Sequence, residues 1–158
     1  MSIAGQSLSG LDEDARAAIR GRHLGFVFQN FQLLLGLTAL DNIRFPLELK
    51  GHDAVEETAR DCLERVGLQH RSQHYPKQLS GGEQQRLAIA RALAFTPKIL
   101  FADEPTGNLD MQNQASVTDV LFSLNQTTQT TLILVTHSQT LADHCDRILY
   151  LEHGRLRS

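Results

Sequence analysis

Two adjacent acids, Asp103 and Glu104, follow the apolar run Ile99, Leu100, Phe101 and Ala102. A buried strand that delivers two carboxylates at its end suits a site holding a magnesium ion, directly or through water. The first acid would organise the metal, and the second would polarise an attacking water as general base. A strand ending in solvated acids is the plainer reading of the same run. The octapeptide from Leu79 to Arg86 is more specific. Its Ser80 and Glu83 form an S-x-x-E capping box, which predicts a helix start. Gly81 and Gly82 leave the amides of that first turn uncovered, where the macrodipole places partial positive charge, so a phosphate can be received there. Glycines placed for close packing are the alternative. A helix terminus contributes only about 0.3–2 kcal/mol, whereas micromolar nucleotide binding needs about 8 kcal/mol. This segment can therefore only complete a site built elsewhere.

Two further residues sit at predicted strand ends. Gln29 closes the run Phe26, Val27 and Phe28, and could reach a metal or an attacking water from the sheet edge. His137 follows Leu134, Val135 and Thr136, and could hydrogen-bond a transferring phosphoryl group. Either residue taken alone is more simply a surface glutamine or a structural histidine.

The elements that would position these groups are legible from periodicity. Strands are predicted at 25–28, 98–102 and 131–136, with a further one at 147–151. Helices are predicted over 13–20, 54–66, 112–124 and 139–144, with Gly67 ending the second as a left-handed cap. From residue 98 onward, strands alternate with helices, the pattern of a parallel sheet with right-handed crossovers. Ligands bind outside the carboxyl ends of such strands, where Asp103, Glu104 and His137 fall.

In order and spacing, Gln29, the octapeptide from Leu79 to Arg86, the strand from Ile99 to Glu104, the run Asn108 to Asp110 and His137 resemble the motifs of ABC ATPase domains. They look like the Q-loop, signature, Walker B, D-loop and switch histidine. The resemblance covers nearly the whole chain, from about Gly25 to Gly154. The run from Ala102 to Asp110 is similar to the lipoprotein-release and macrolide-export branch.

The resemblance implies an α/β fold: a partial P-loop NTPase with a parallel sheet, helices and a helical signature subdomain. It implies a single incomplete domain over 1–158, with a helical part at about 40–95 and a sheet-containing core at 25–29 and 96–158. It also implies ATP and Mg2+ as cofactors, with Asp103 and Gln29 at the metal. Glu104 would be the general base, His137 would contact the γ-phosphate and Gln29 would link the site to a membrane partner. Ser80, Gly81, Gly82 and Glu83 would meet the nucleotide of an opposing subunit, with Asp110 at the dimer seam. The partners implied are a membrane permease subunit and a second ABC ATPase, alike or different. The location implied is cytoplasmic, peripheral on the inner face of the plasma membrane.

One motif of the family is not in the sequence. A P-loop requires G-x-x-x-x-G-K-[ST], and the lysines here, Lys50, Lys77 and Lys98, none preceded by glycine, cannot supply it. The expectation is accordingly of an ATP-hydrolysing subunit whose front part, with the P-loop, is missing. The competing expectation is a non-hydrolysing interaction module lacking the P-loop.

Composition narrows the classes further. At 158 residues, 41% apolar and 21% charged, the chain has the make-up of one globular domain. A formal charge of -3 gives no footprint for nucleic acid, and no such partner is expected. The near-apolar runs Leu33 to Leu37 and Leu132 to Val135 are too short to span a bilayer, and no basic-then-apolar leader pattern opens the sequence. Cys62 and Cys145 lack metal or redox spacing and read as free thiols. His70 and His74 stand four apart, but the adjoining Pro76 marks a loop and solvated histidines.

Overall fold

A computed structural model describes residues 2, 3 and 5–157. A small hairpin of β1 (Ser2–Ile3) and β2 (Gln6–Ser7) leads to α1 (Glu13–His23), β3 (Leu24–Phe28), α2 (Ala39–Leu49) and α3 (Val55–Arg65). Two single 3-10 turns, Gln69–Arg71 and Pro76–Gln78, precede α4 (Gly81–Leu93). Then come β4 (Ile99–Asp103), α5 (Met111–Thr128), β5 (Thr131–Val135), α6 (Gln139–Ala142), β6 (Tyr150–Glu152) and β7 (Arg155–Arg157).

β3, β4 and β5 form a parallel sheet in that order. Paired residues of a sheet point to the same face, so the register sorts the strands into two sides. Val27, Ala102 and Leu134 form one row, and Gly25, Leu100 and Leu132 another; both turn toward the core. Phe26, Phe101 and Ile133 form a row on the opposite face, followed by Phe28, Asp103 and Val135. Phe26 stacks between Phe28 and Phe101, with ring centroids 5.9 and 5.5 Å apart. That outer face keeps Phe26, Ile133 and Val135 exposed.

α4 is the central helix. Leu87, Ala88, Ile89, Ala90, Ala92 and Leu93 are all buried, because α2, α3, α5 and β3 pack around it. Each fully buried leucine or isoleucine contributes about 1.5–3 kcal/mol. The approach to β3 is close: a Cβ at Gly25 would come within 2.8 Å of the Ala92 carbonyl. One continuous apolar cluster runs from Val27 through the helices to Leu124.

Most expected elements are present, though α1 runs three residues past the expected Arg20 and α6 stops two short of the expected His144; two differences are larger. α5 continues four residues past the expected Leu124, because Thr127 and Thr128 return their hydroxyls to the carbonyls of Ser123 and Leu124. Gln129, in the left-handed region at φ 50°, then ends it. The strand expected at 147–151 does not join the parallel sheet. β6 begins at Tyr150 and pairs antiparallel with β7 across His153 and Gly154. Both turn residues have positive φ, 50° and 75°, the geometry that closes a two-residue hairpin.

Candidate functional site at the carboxyl ends of the parallel strands

The register brings Phe28, Asp103 and Val135 level across the sheet, so Gln29, Glu104 and His137 leave it at the same edge. Glu104 takes the left-handed region at φ 42°, and its N–H donates to the Val135 carbonyl at 2.9 Å. A non-glycine residue held there costs about 1–3 kcal/mol and persists only when its surroundings fix it. Here the fixing groups come from the strand alongside. The His137 N–H donates to Oε1 of Glu104 at 2.7 Å, and the Thr136 hydroxyl donates to Oε2 at 3.2 Å. The carboxylate is thus aimed by two donors. The His137 ring stands in solvent, its Nε2 3.8 Å from Oε1 of Glu104.

Gln29 is fixed by Asn108. The Gln29 amide nitrogen donates to Oδ1 of Asn108 at 2.9 Å, and Nδ2 of Asn108 returns a bond to the Gln29 carbonyl at 3.3 Å. Gly107 makes room for this pair, since a Cβ there would lie 2.9 Å from the Gln29 side-chain nitrogen. The pairing leaves the Gln29 amide oxygen without a hydrogen-bond partner among the described residues. Gln29 and the exposed Asp103 line an open cleft of about 390 Å3 with Phe28, Asn30, Gln32 and Asn108. Two oxygen donors facing open space are the ligand type that a hard divalent cation takes, and magnesium keeps several waters beside one or two carboxylates. The residues therefore fit the cation that the motifs imply.

The head of α4 is built as its sequence predicts. The Glu83 N–H donates to the Ser80 hydroxyl at 3.2 Å, and the Ser80 N–H donates to the Glu83 carboxylate at 2.8 Å. Arg71 donates to the other Glu83 oxygen at 3.2 Å. The Ser80 backbone N–H, with lesser help from the Ser80 hydroxyl and Arg71 and against the cost of burial, holds the Glu83 carboxyl below its ordinary range. Both Glu83 oxygens are thus spent on the helix start and on Arg71. Gly81 is exposed, while Gly82 is buried against Asn113, whose amide a Cβ at Gly82 would strike. Asp110 caps α5, accepting from Asn113 N–H and Nδ2 at 2.9 and 2.7 Å, and the backbone N–H chiefly lowers its carboxyl pKa.

Two groups of expected residues therefore stand apart. Gln29, Asp103, Glu104 and His137 share the sheet edge; Ser80 to Glu83 sit with Asp110 at the facing ends of α4 and α5. No hydrogen bond joins the two groups among the described residues. Leu109 lies between them, 3.3 Å from where a Gly81 Cβ would be. The sequence marks Asn108 only as part of the run to Asp110 and Thr136 only as the end of a strand; that they orient Gln29 and Glu104 was not expected. Their signal was adjacency to motif residues, but the partner each chose depends on strand register. His74 faces the Arg71 guanidinium at 3.3 Å, and among the described residues no three His, Cys, Asp or Glu side chains gather as a metal cluster. Cys62 and Cys145 are half-buried free thiols. No helix of the described residues is long and apolar enough to cross a membrane.

A family model described as ABC transporter matches residues 1–107. The chain is 52% identical to the uncharacterized ABC transporter ATP-binding protein YbbA of Escherichia coli K12, over 99% of its own length and 70% of that protein's. The chain belongs to the ABC transporter ATP-binding family. It is also 49% identical to the lipoprotein-releasing system ATP-binding protein LolD of Pseudomonas syringae, covering 98% of the chain and 69% of that protein. Among solved structures, the ATP-binding cassette MJ0796, a dimer in a post-hydrolysis state with ADP and Pi, superposes with a TM-score of 0.84 at 40% identity. That match covers 98% of this chain and 71% of that one. A second dimeric structure of MJ0796 gives a TM-score of 0.80, over 95% and 68% of the two chains. The expected family and its partial P-loop NTPase fold stand, as does the reading as an ATP-binding subunit of the ABC type. Nothing in these matches favours the non-hydrolysing module.

Proposed function

We propose that this chain is an ATP-hydrolysing subunit of an ABC-type complex, in which two cassettes close on nucleotide and drive a membrane permease. The observation that carries this reading is the convergence of Gln29, Asp103, Glu104 and His137 at one edge of three register-matched strands. Glu104, aimed by Thr136 and His137, accepts a proton from water as that water attacks the γ-phosphorus. The bond from phosphorus to the ADP oxygen breaks in the same displacement. His137, with its ring in solvent beside Glu104, reaches the γ-phosphate. Asp103 and the amide oxygen of Gln29 would hold Mg2+, which when bound would supply charge neutralisation on the phosphate oxygens.

Ser80, Gly81 and Gly82 present the amides of the α4 start to nucleotide held by the opposing subunit. Glu83 serves them by fixing the cap, and Asp110 stands at the seam by fixing the start of α5. Because a helix start contributes at most about 2 kcal/mol, these amides complete a site whose main phosphate contacts lie elsewhere in the assembly. Residues of about 40–95 form its helical part, and 25–29 with 96–158 its sheet core. The likeness to YbbA and LolD supports a permease of the lipoprotein-releasing kind as the partner. The chain then sits on the inner face of the membrane by docking to it.

Ser80→Arg tests the dimeric half of this reading. Bulk and charge at the cap should abolish ATP-promoted dimerisation, read by light scattering, while the circular dichroism spectrum is kept. Unaltered ATP-promoted dimerisation would exclude the α4 start from the closed site.

A further inference from the structure

The Gln29 loop turns back on itself through two consecutive non-glycine residues in the left-handed region, Phe31 at φ 61° and Gln32 at φ 47°. Neither is a residue type that adopts this region readily, so something outside the loop must hold it. Local hydrogen bonds are few: Phe31 N–H reaches the Phe28 carbonyl at 3.1 Å and Gln32 N–H the Asn30 carbonyl at 2.6 Å. The outside contact is Arg91, near the end of α4. Its Nη1 donates to the Gln32 carbonyl at 2.7 Å and its Nη2 to the Phe31 carbonyl at 3.2 Å.

Arg91 has no acidic partner within salt-bridge distance among the described residues, although it is half-buried and burial works against its charge. A planar fork aims its donors in fixed directions at two successive carbonyls, a geometry that a lysine's compact ammonium on a flexible stem does not pre-organise. The same Phe31 also meets the opposite end of α4, since its ring tip lies 3.9 Å from where a Gly81 Cβ would be. The loop that carries Gln29 is therefore tied by Arg91 to the end of α4 and lies alongside the start of that helix through Phe31.

We propose that Arg91 is a positioning residue that locks the Phe31–Gln32 turn to α4, so that Gln29 and the Ser80–Gly82 helix start move as one body. The significance for catalysis rests on the ATPase reading above; the lock itself does not.

The test is amide hydrogen exchange on the nucleotide-free 158-residue protein, comparing wild type with Arg91→Gln and Arg91→Lys. The lock predicts that exchange in segment 29–34 rises at least about tenfold in Arg91→Gln, with α5 and β4 within about twofold. Arg91→Lys, which keeps the charge and stem but not the fork, should fall between and serves if Arg91→Gln does not fold. Unchanged exchange in 29–34 in a folded variant would overturn the proposal. So would a uniform rise through α4 and α5, which would make Arg91 a general stabiliser. Because no nucleotide is present, failure here leaves the ATPase reading standing. Failure of that reading in turnover assays leaves the exchange result intact.

Discussion

Replacing Asn42 by leucine should cost this protein a substantial part of its stability. Asn42 is wholly buried in the first turn of α2, yet its side chain is fully engaged. Its Nδ2 donates to the carbonyls of Leu34, Leu37 and Thr38 at 3.1, 3.2 and 3.0 Å, and its Oδ1 accepts from Leu34 N–H at 2.8 Å. Leucine would remove all four bonds, but not all four groups would be orphaned. The Leu34 carbonyl keeps the Leu37 N–H at 3.1 Å, and the Thr38 carbonyl keeps the Asn42 N–H at 2.9 Å. The Leu37 carbonyl and the Leu34 N–H lose their partners. Two unsatisfied groups at about 1–3 kcal/mol each give about 2–6 kcal/mol. Leu34 is 42% exposed, so water recovers part of its N–H and the lower half, about 2–4 kcal/mol, is expected. Urea unfolding followed by far-ultraviolet circular dichroism reads this directly; at this size the melting temperature should fall by about 5–15 °C. Asn42→Asp sharpens the test. A carboxylate faced by three carbonyls has its folded-state pKa raised, so the variant should gain stability as pH falls and its acid form donates one bond. A loss below about 0.5 kcal/mol in Asn42→Leu, the range of ordinary surface changes, would refute the reasoning.

The remaining expectations concern α4. Gln85 is wholly buried with neither amide atom hydrogen-bonded among the described residues, so Gln85→Met, near in volume, should raise stability by about 1–2 kcal/mol. A comparable loss in thermal melts would reveal a partner for that amide. Ser80→Ala should cost about 1 kcal/mol through the lost cap, measured by urea unfolding at neutral pH. The folded-state pKa of Glu83 lies below its ordinary 4.5, so its contribution is complete above that pH and fades as pH falls through the depressed value. Glu83→Gln should remove that part of the acid-side decline in stability, and an unchanged pH profile below 4.5 would count against the capping account.

Where the sequence was legible, the reason lay in short-range patterns. The run Ile99 to Ala102 reads as a strand, and Ser80 with Glu83 reads as a helix start. Both are decided within a few residues. What was not legible depended on pairings far apart in the chain. Thr136 and His137 hold Glu104 only because β5 lies beside β4 in one register, a relation 32 to 33 residues long. Arg91 reads as an ordinary helical cation until the turn 59 and 60 residues earlier comes alongside. Asn42 stands among the apolar positions of α2, three residues after the buried Ala39, and that placement was its only mark. The misassigned strand at 147–151 shows the limit of apolar runs as a guide. Its neighbours His153 and Gly154 encode a hairpin, and a hairpin needs no place in the central sheet.

The central claim is that Glu104 removes the proton from the attacking water. Its most direct test is to give Mg2+ and radiolabelled ATP to the assembly containing this chain, with and without Glu104→Gln, and to follow retained nucleotide and released phosphate. Glutamine preserves the shape: its amide oxygen can still accept from the His137 N–H, and its amide nitrogen can donate to the Thr136 hydroxyl turned round, but it cannot take the proton. The account predicts that the variant retains uncleaved ATP in a closed dimer, with phosphate release down at least about a hundredfold. Phosphate release at the wild-type rate from a variant that still closes on ATP would contradict it.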